Sequence, residues 1–134
     1  MLRLEVAAIY AGINILLLLL LAVLVIMGRR KHKITLGTGE NADFNRAVRA
    51  HANAAEYIPA GLVGIVTLAL LDPASPLWLL HAAGISLTAG RILHAFGLHT
   101  GTLNAGRMIG MTLTLISYLL IGGGLVYAGF SQQL

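Results

Sequence analysis

Cysteine is absent from the 134 residues, so the chain has no disulfide, no thiolate nucleophile and no cysteine metal site of its own. Any thiol that reacts here must arrive with a ligand. Charge is scarce as well: Asp, Glu, Lys and Arg make up 10% of the sequence, against roughly 25% in soluble domains. Acidic residues are the rarest of these, five against nine Lys and Arg, which leaves a net charge of +4. A basic surplus can signal nucleic acid, but here the basic residues lie beside or inside long apolar runs rather than on a polar face, which argues against that partner. No repeat or low-complexity stretch is present, and no polar segment is long enough for a soluble domain.

What the chain has in quantity is apolar length: 57% hydrophobic residues and a mean hydropathy of +0.84. A hydrocarbon core of about 30 Å needs about 20 such residues per helix. The pattern predicts an all-α membrane protein, a single domain over 1–134 built as an up-down four-transmembrane-helix bundle, with helices near 4–28, 42–71, 76–97 and 105–130. Val6 to Met27 forms the first span, ended by the cluster Arg29, Arg30, Lys31, His32 and Lys33. That cluster follows a long apolar stretch, the reverse of a signal peptide, so the span is expected to be retained.

Asn41 or Asp43 is expected to cap the second helix, and Pro59 to remove one of its internal hydrogen bonds. Ser75 and Pro76 mark the start of the third helix, and Gly97 to Gly106 separates it from the fourth. Gly12, Gly61, Gly64 and Gly122 to Gly124 are candidates for close helix packing, and Asn14 for an interhelical hydrogen bond. Tyr10, Trp78, Tyr127 and Phe130 suit the interfacial aromatic belts, and His81 a structural role. Lys and Arg are concentrated after helix one and around helix three's end, whereas Asp72 to Pro76 has none, so both termini are expected on the non-cytoplasmic side.

Polar residues inside the spans carry the functional signal. Arg46, Arg49, Asn53 and Glu56 stand at i, i+3, i+7 and i+10, one stripe of a helix. Arg91 and His94 repeat the spacing on helix three, and Arg107 sits at the same membrane edge. A charge at mid-membrane costs about 2.5–3.5 kcal/mol on insertion scales, so these groups must pair within the bundle or line a wet cavity. Internal pairing with Glu56, Asp43 and Glu40 is one solution. Four helix-borne arginines against one clearly intramembrane carboxylate, Glu56, favour another, a small anionic ligand held by guanidinium forks, with Glu56 left for an ammonium. His51, His94 and His99 show no HxxxH or HExxH spacing, so no metal is expected.

The run Arg49-Ala50-His51-Ala52-Asn53-Ala54-Ala55-Glu56-Tyr57-Ile58-Pro59, RAxxNxxEYxP in motif form, resembles the signature of the MAPEG family, the membrane-associated proteins in eicosanoid and glutathione metabolism. Gly90-Arg91-Ile92-Leu93-His94 followed by Arg107 resembles the GRxxH...R pattern of the microsomal prostaglandin E synthase and glutathione transferase branch. The likeness extends over the whole chain and is strongest to bacterial members. It implies a homotrimer in a bacterial inner membrane, with glutathione as cosubstrate between subunits near the cytoplasmic face. Arg30, Arg49, His51, Asn53, Glu56, Tyr57, Arg91 and His94 would then contact glutathione, and Arg107 would stand near its sulfur as the catalytic residue. A nearby cation lowers a thiol pKa from about 8.5 toward neutral, which favours the reactive thiolate. Leu98 departs from the pattern, since several members have tyrosine there. The expected activity is that of a glutathione transferase, with peroxidase chemistry as an extension, acting on lipophilic electrophiles that enter from the bilayer. The alternatives are a non-catalytic glutathione- or lipid-binding protein of the same fold and a small proton-coupled transporter.

Overall fold

A computed structural model describes residues 2–71, 76–101 and 104–131. It contains the helices α1 (Leu2–His32), α2 (Ala42–Leu71), α3 (Leu77–Thr100) and α4 (Ala105–Ser131), and no strand among the described residues. The chain is an all-α membrane bundle, as its apolar periodicity predicts. Helices α1, α2 and α4 are each long and apolar enough to cross a bilayer. Helix α3, with 24 residues, reaches roughly 36 Å at 1.5 Å per residue, long enough to span, but its apolar run is interrupted by His81, Arg91 and His94. Two of those three, Arg91 and His94, are buried in the bundle.

Contacts fix the topology. Gly28 on α1 packs on Phe44 at the start of α2, while Val6 and Ala7 cluster with Leu68 and Ala69 at its end. Gly61 meets Leu87, Gly97 meets Arg107, and Gly124 meets Leu79, so each successive pair is antiparallel. Helices α3 and α4 share the most extensive contact, and α1 and α4 do not touch. The bundle is therefore a central α2–α3 pair flanked by α1 on one side and α4 on the other. Both described chain ends lie at one end of it, opposite the α1–α2 connection.

The α3–α4 contact depends on glycine. A Cβ at Gly110 would lie 2.5 Å from the His94 backbone nitrogen and 2.6 Å from the Gly90 carbonyl oxygen, so the backbones approach too closely for any side chain. Gly61 and Gly64 also sit against side chains of neighbouring helices, as expected, whereas Gly12, Gly122 and Gly123 have nothing within 4 Å of an added Cβ. Gly84, which receives the Tyr10 ring, Gly90, Gly97 and Gly110 are the packing glycines that the hydropathy pattern does not reveal.

Polar ties set the α1–α3 register. Asn14 donates to Thr88 Oγ1 at 2.8 Å and to the Tyr10 carbonyl at 2.8 Å, and Tyr10 Oη meets His81 Nδ1 at 2.9 Å. The interhelical role expected of Asn14 is thus observed.

Element ends differ from the sequence expectation at the ends of α1 and α3 and at Pro76, while the cap of α2 is one of the two expected. Helix α1 continues through Arg29 to His32 rather than stopping at the basic cluster, because cations at a helix C-terminus interact favourably with its dipole. Asn41 caps α2 by accepting from the Phe44 amide at 2.8 Å, while Asp43 pairs instead with Arg46. Helix α3 runs on to Thr100, where Asn104 Nδ2 donates to the Gly97 carbonyl at 2.7 Å and Asn104 Oδ1 accepts from the Arg107 amide at 3.1 Å. One asparagine thereby joins the end of α3 to the start of α4. Pro76 occupies the N-cap of α3 rather than its first turn, and Ser75 lies outside the described residues.

Alanine at Gly110 is expected to force α3 and α4 apart and to destabilise the detergent-solubilised protein by about 1–3 kcal/mol, the usual range for overpacking. Alanine at Gly12, where the added methyl meets nothing, is expected to leave the thermal midpoint unchanged or slightly raised. Thermal unfolding followed by circular dichroism measures both.

Candidate functional site

Arg91 is the only charged side chain among the largest fully buried ones, at 1% exposure. Its donors reach acceptors on two other helices, α2 and α4. Nε donates to Thr114 Oγ1 at 2.9 Å, NH1 to Asn53 Oδ1 at 2.6 Å, and NH2 to the Gly110 carbonyl at 3.4 Å and Met111 Sδ at 3.7 Å. The guanidinium carbon stands 4.9 Å from the centre of the Tyr57 ring. The Tyr57 carbonyl in turn accepts from Tyr118 Oη at 2.7 Å. Every partner of Arg91 is neutral, so its charge is solvated but not cancelled.

Directly beside this network, the α2–α3–α4 side of the bundle opens into a cleft of ≈ 340 Å³ lined by Arg46, Arg49, Asn53, His94, Leu98 and Arg107, together with Ala42, Asn45 and Gly101. The first turns of α2 and α4 both contribute, so the positive ends of two helix dipoles add to the guanidinium charges. Arg46 is ion-paired with Asp43, the only salt bridge formed among the described residues. Among the described residues, Arg49 and Arg107 have no carboxylate partner, and Arg107 Nε is a buried donor with no hydrogen-bond partner. Because Arg91 can only donate, Asn53 must present Oδ1 to it, which leaves the Asn53 amide hydrogens for the cleft. The lining therefore offers donors and positive charge, the requirements of an anion such as a carboxylate or thiolate.

Of the residues singled out in the sequence, Arg49, Asn53, His94 and Arg107 meet in this cleft. Arg91 does not line it; it lies behind Asn53 and holds that side chain in place. Tyr57 sits on the Arg91 guanidinium, below the cleft rather than in its wall. His51 is half-buried, and Glu56 is exposed on the outside of the single chain. Arg30 lies on the far rim, in a shallow basin with Arg29 and Lys33. Internal ion pairing does not account for the arginines: Asp43 takes Arg46, while neither Glu56 nor Glu40 pairs with any of them. Sequence reasoning missed Thr114, Tyr118 and Asn104, whose roles depend on contacts between helices. Asn45 was missed although it adjoins Arg46, and Leu98, noted only as a departure, proves to form part of the cleft wall.

A helical membrane bundle with a cationic cleft at one end defines a class, and comparison with known proteins defines the family. The chain matches the MAPEG family over residues 7–127 and belongs to it. It is 34% identical over 116 residues to the inner membrane protein YecN of Escherichia coli, covering 87% of this chain and 86% of that one. A protein of the same name from a second Escherichia coli strain matches to the same extent.

Lysine in place of Arg91 keeps the charge but cannot serve Thr114, Asn53 and Gly110 together, so Arg91→Lys is expected to cost about 1–3 kcal/mol of stability. Arg49→Lys, at an exposed position with no carboxylate partner, is expected to unfold like the parent chain. Parallel thermal melts in one detergent distinguish the two.

Proposed function

We propose that this chain is a glutathione-dependent transferase of the bacterial inner membrane that adds an activated thiolate to lipophilic electrophiles. The observation that carries the reading is the convergence of Arg49, Arg107, Asn53 and His94 on one cleft with no carboxylate in its lining, the neighbouring Asp43 being already paired with Arg46. Glutathione has two carboxylates and a thiol, all suited to such a surface in their ionised forms. Arg107 would stabilise the thiolate, aided by its place in the first turn of α4. Sulfur then forms a bond to the electrophilic carbon, and the leaving group departs with its electron pair, or a conjugated double bond takes that pair and a proton from water. With a lipid hydroperoxide, sulfur attacks the O–O bond and releases the alcohol; a second glutathione converts the resulting sulfenic acid to disulfide and water.

Glu56 supports self-association, which the family resemblance makes a homotrimer. It is exposed on a membrane-spanning helix of the single chain, and an unpaired carboxylate facing hydrocarbon is unfavourable. A neighbouring copy covering that face would bring Glu56 to the ammonium of glutathione and could supply Arg30 from its own α1. The Lys and Arg distribution supports a cytoplasmic position for the cleft, and the name of the Escherichia coli relative, an inner membrane protein, supports the membrane assignment.

A second reading, a glutathione or lipid binder that does not react its ligand, is favoured by one feature: Leu98 gives the cleft wall no hydroxyl. The two readings separate in ultraviolet difference spectra taken with glutathione near neutral pH. The transferase is expected to show thiolate absorbance that disappears in Arg107→Ala, with turnover reduced about 100-fold and affinity changed far less. Glutathione binding with no thiolate signal in the parent chain would establish the binder instead. Glu56→Gln is expected to weaken glutathione binding about tenfold in calorimetric titrations, and unchanged binding would remove Glu56 from the site.

A further inference from the structure

The flanking arrangement of α1 leaves a second groove, on the side of the α2–α3 pair away from the cationic cleft. It has a volume of ≈ 240 Å³ and runs between Leu17, Leu20, Leu21 and Leu24 of α1 and Ile92, Ala95 and Phe96 of α3, over Ala47 and Ala50 of α2. Leucines face alanines across it, and the small side chains do not fill the space. Phe96 and Ile92 are exposed, so the groove is open laterally. Its single polar lining residue is His99, at the end nearer the basic cluster of α1.

The residues above the groove are cationic. Tyr10 packs on Gly84 and Asn14 bonds Thr88, so α1 and α3 run in parallel in a register that sets Val25 beside His99. Lys31 continues the stripe of Leu17 and Leu24, seven residues beyond Leu24, and stands roughly 9 Å past the level of His99 at 1.5 Å per residue. Within the basic cluster Arg29 is occupied by the Thr35 and Gly37 carbonyls and the Phe44 ring, and His32 by Asn41. Lys31 is exposed and makes no hydrogen bond or ion pair among the described residues.

We propose that this groove is a binding site for one anionic phospholipid, its acyl chain lying between α1 and α3 and its phosphate held by Lys31 with His99. An apolar channel open to the bilayer, with one hydrogen-bonding group at its mouth and a free ammonium a headgroup's distance above, matches that ligand from tail to phosphate. The site does not involve the cleft residues, so it stands independently of the glutathione reading.

The test uses the full chain with Trp78, its only tryptophan, replaced and a reporter placed in the groove (W78F and F96W). The protein is reconstituted in phosphatidylcholine vesicles containing dibrominated phosphatidylglycerol or dibrominated phosphatidylcholine. Brominated phosphatidylglycerol is expected to quench the reporter with about five-fold higher apparent affinity, the preference due to one basic residue at a membrane surface. Lys31→Gln with His99→Gln is expected to bring the two lipids to parity, and Ala95→Leu, which fills the groove, to lower quenching by both. Circular dichroism of each variant checks that it remains folded. Equal quenching by the two lipids in the parent reporter would overturn the proposal. So would exclusion of both lipids, the result if a second copy of the chain covers the groove.

Discussion

The bundle depends on a positive charge kept inside it without a counter-ion. Arg91 reaches from α3 to α2 through Asn53 and to α4 through Thr114 and Gly110, with the Tyr57 ring against its face. Removing a guanidinium from water is costly, and only a nearly complete set of hydrogen bonds makes that tolerable. The close α3–α4 approach at Gly90 and Gly110 is what brings the Gly110 carbonyl and Thr114 within its reach. Packing and electrostatics are thus one device: without the glycines the arginine loses acceptors, and without the arginine a set of buried acceptors loses its donor.

The use of neutral partners has a consequence for the cleft. A carboxylate beside Arg91 would have cancelled its field; Asn53, Thr114 and a carbonyl leave it largely intact. Arg91 therefore adds to the positive potential felt by an anion in the cleft without touching it, alongside Arg49, Arg107 and two helix N-termini. It also fixes which end of the Asn53 amide faces the cleft. The central α2–α3 pair separates this polar face from an apolar one: α4 closes over the arginines, and α1 borders a groove of leucine and alanine. One helix pair presents opposite chemistries to its two sides.

Much of this was legible in the sequence, and the omissions have physical causes. Helix number and type followed from apolar length, and the Arg46, Arg49, Asn53 stripe from a period of 3.6 residues. Glu56 shares that stripe, only about 20° round the helix from Arg49, but lies about 15 Å along the axis from Arg46 at 1.5 Å per residue, past Asn53 and beyond the cleft. Arg91 was recognised as needing a partner, but besides Asn53 its partners include a hydroxyl and a backbone carbonyl on α4, which no charge-matching rule could find. The role of Asn104 required knowing that α3 persists to Thr100, and the Gly-rich stretch suggested an earlier end. Apolar periodicity places a helix in the membrane; it does not state which glycines face a neighbour.

The most direct test of the central claim is the Nε–H spectrum of the protein labelled with 15N-arginine, assigned by single Arg→Lys variants and recorded with and without glutathione. The account predicts an Arg91 resonance protected from solvent exchange and nearly unmoved by the ligand, while the Arg49 and Arg107 resonances shift as glutathione is added. Rapid exchange at Arg91, or arginine resonances of the cleft that ignore glutathione while it binds, would contradict it.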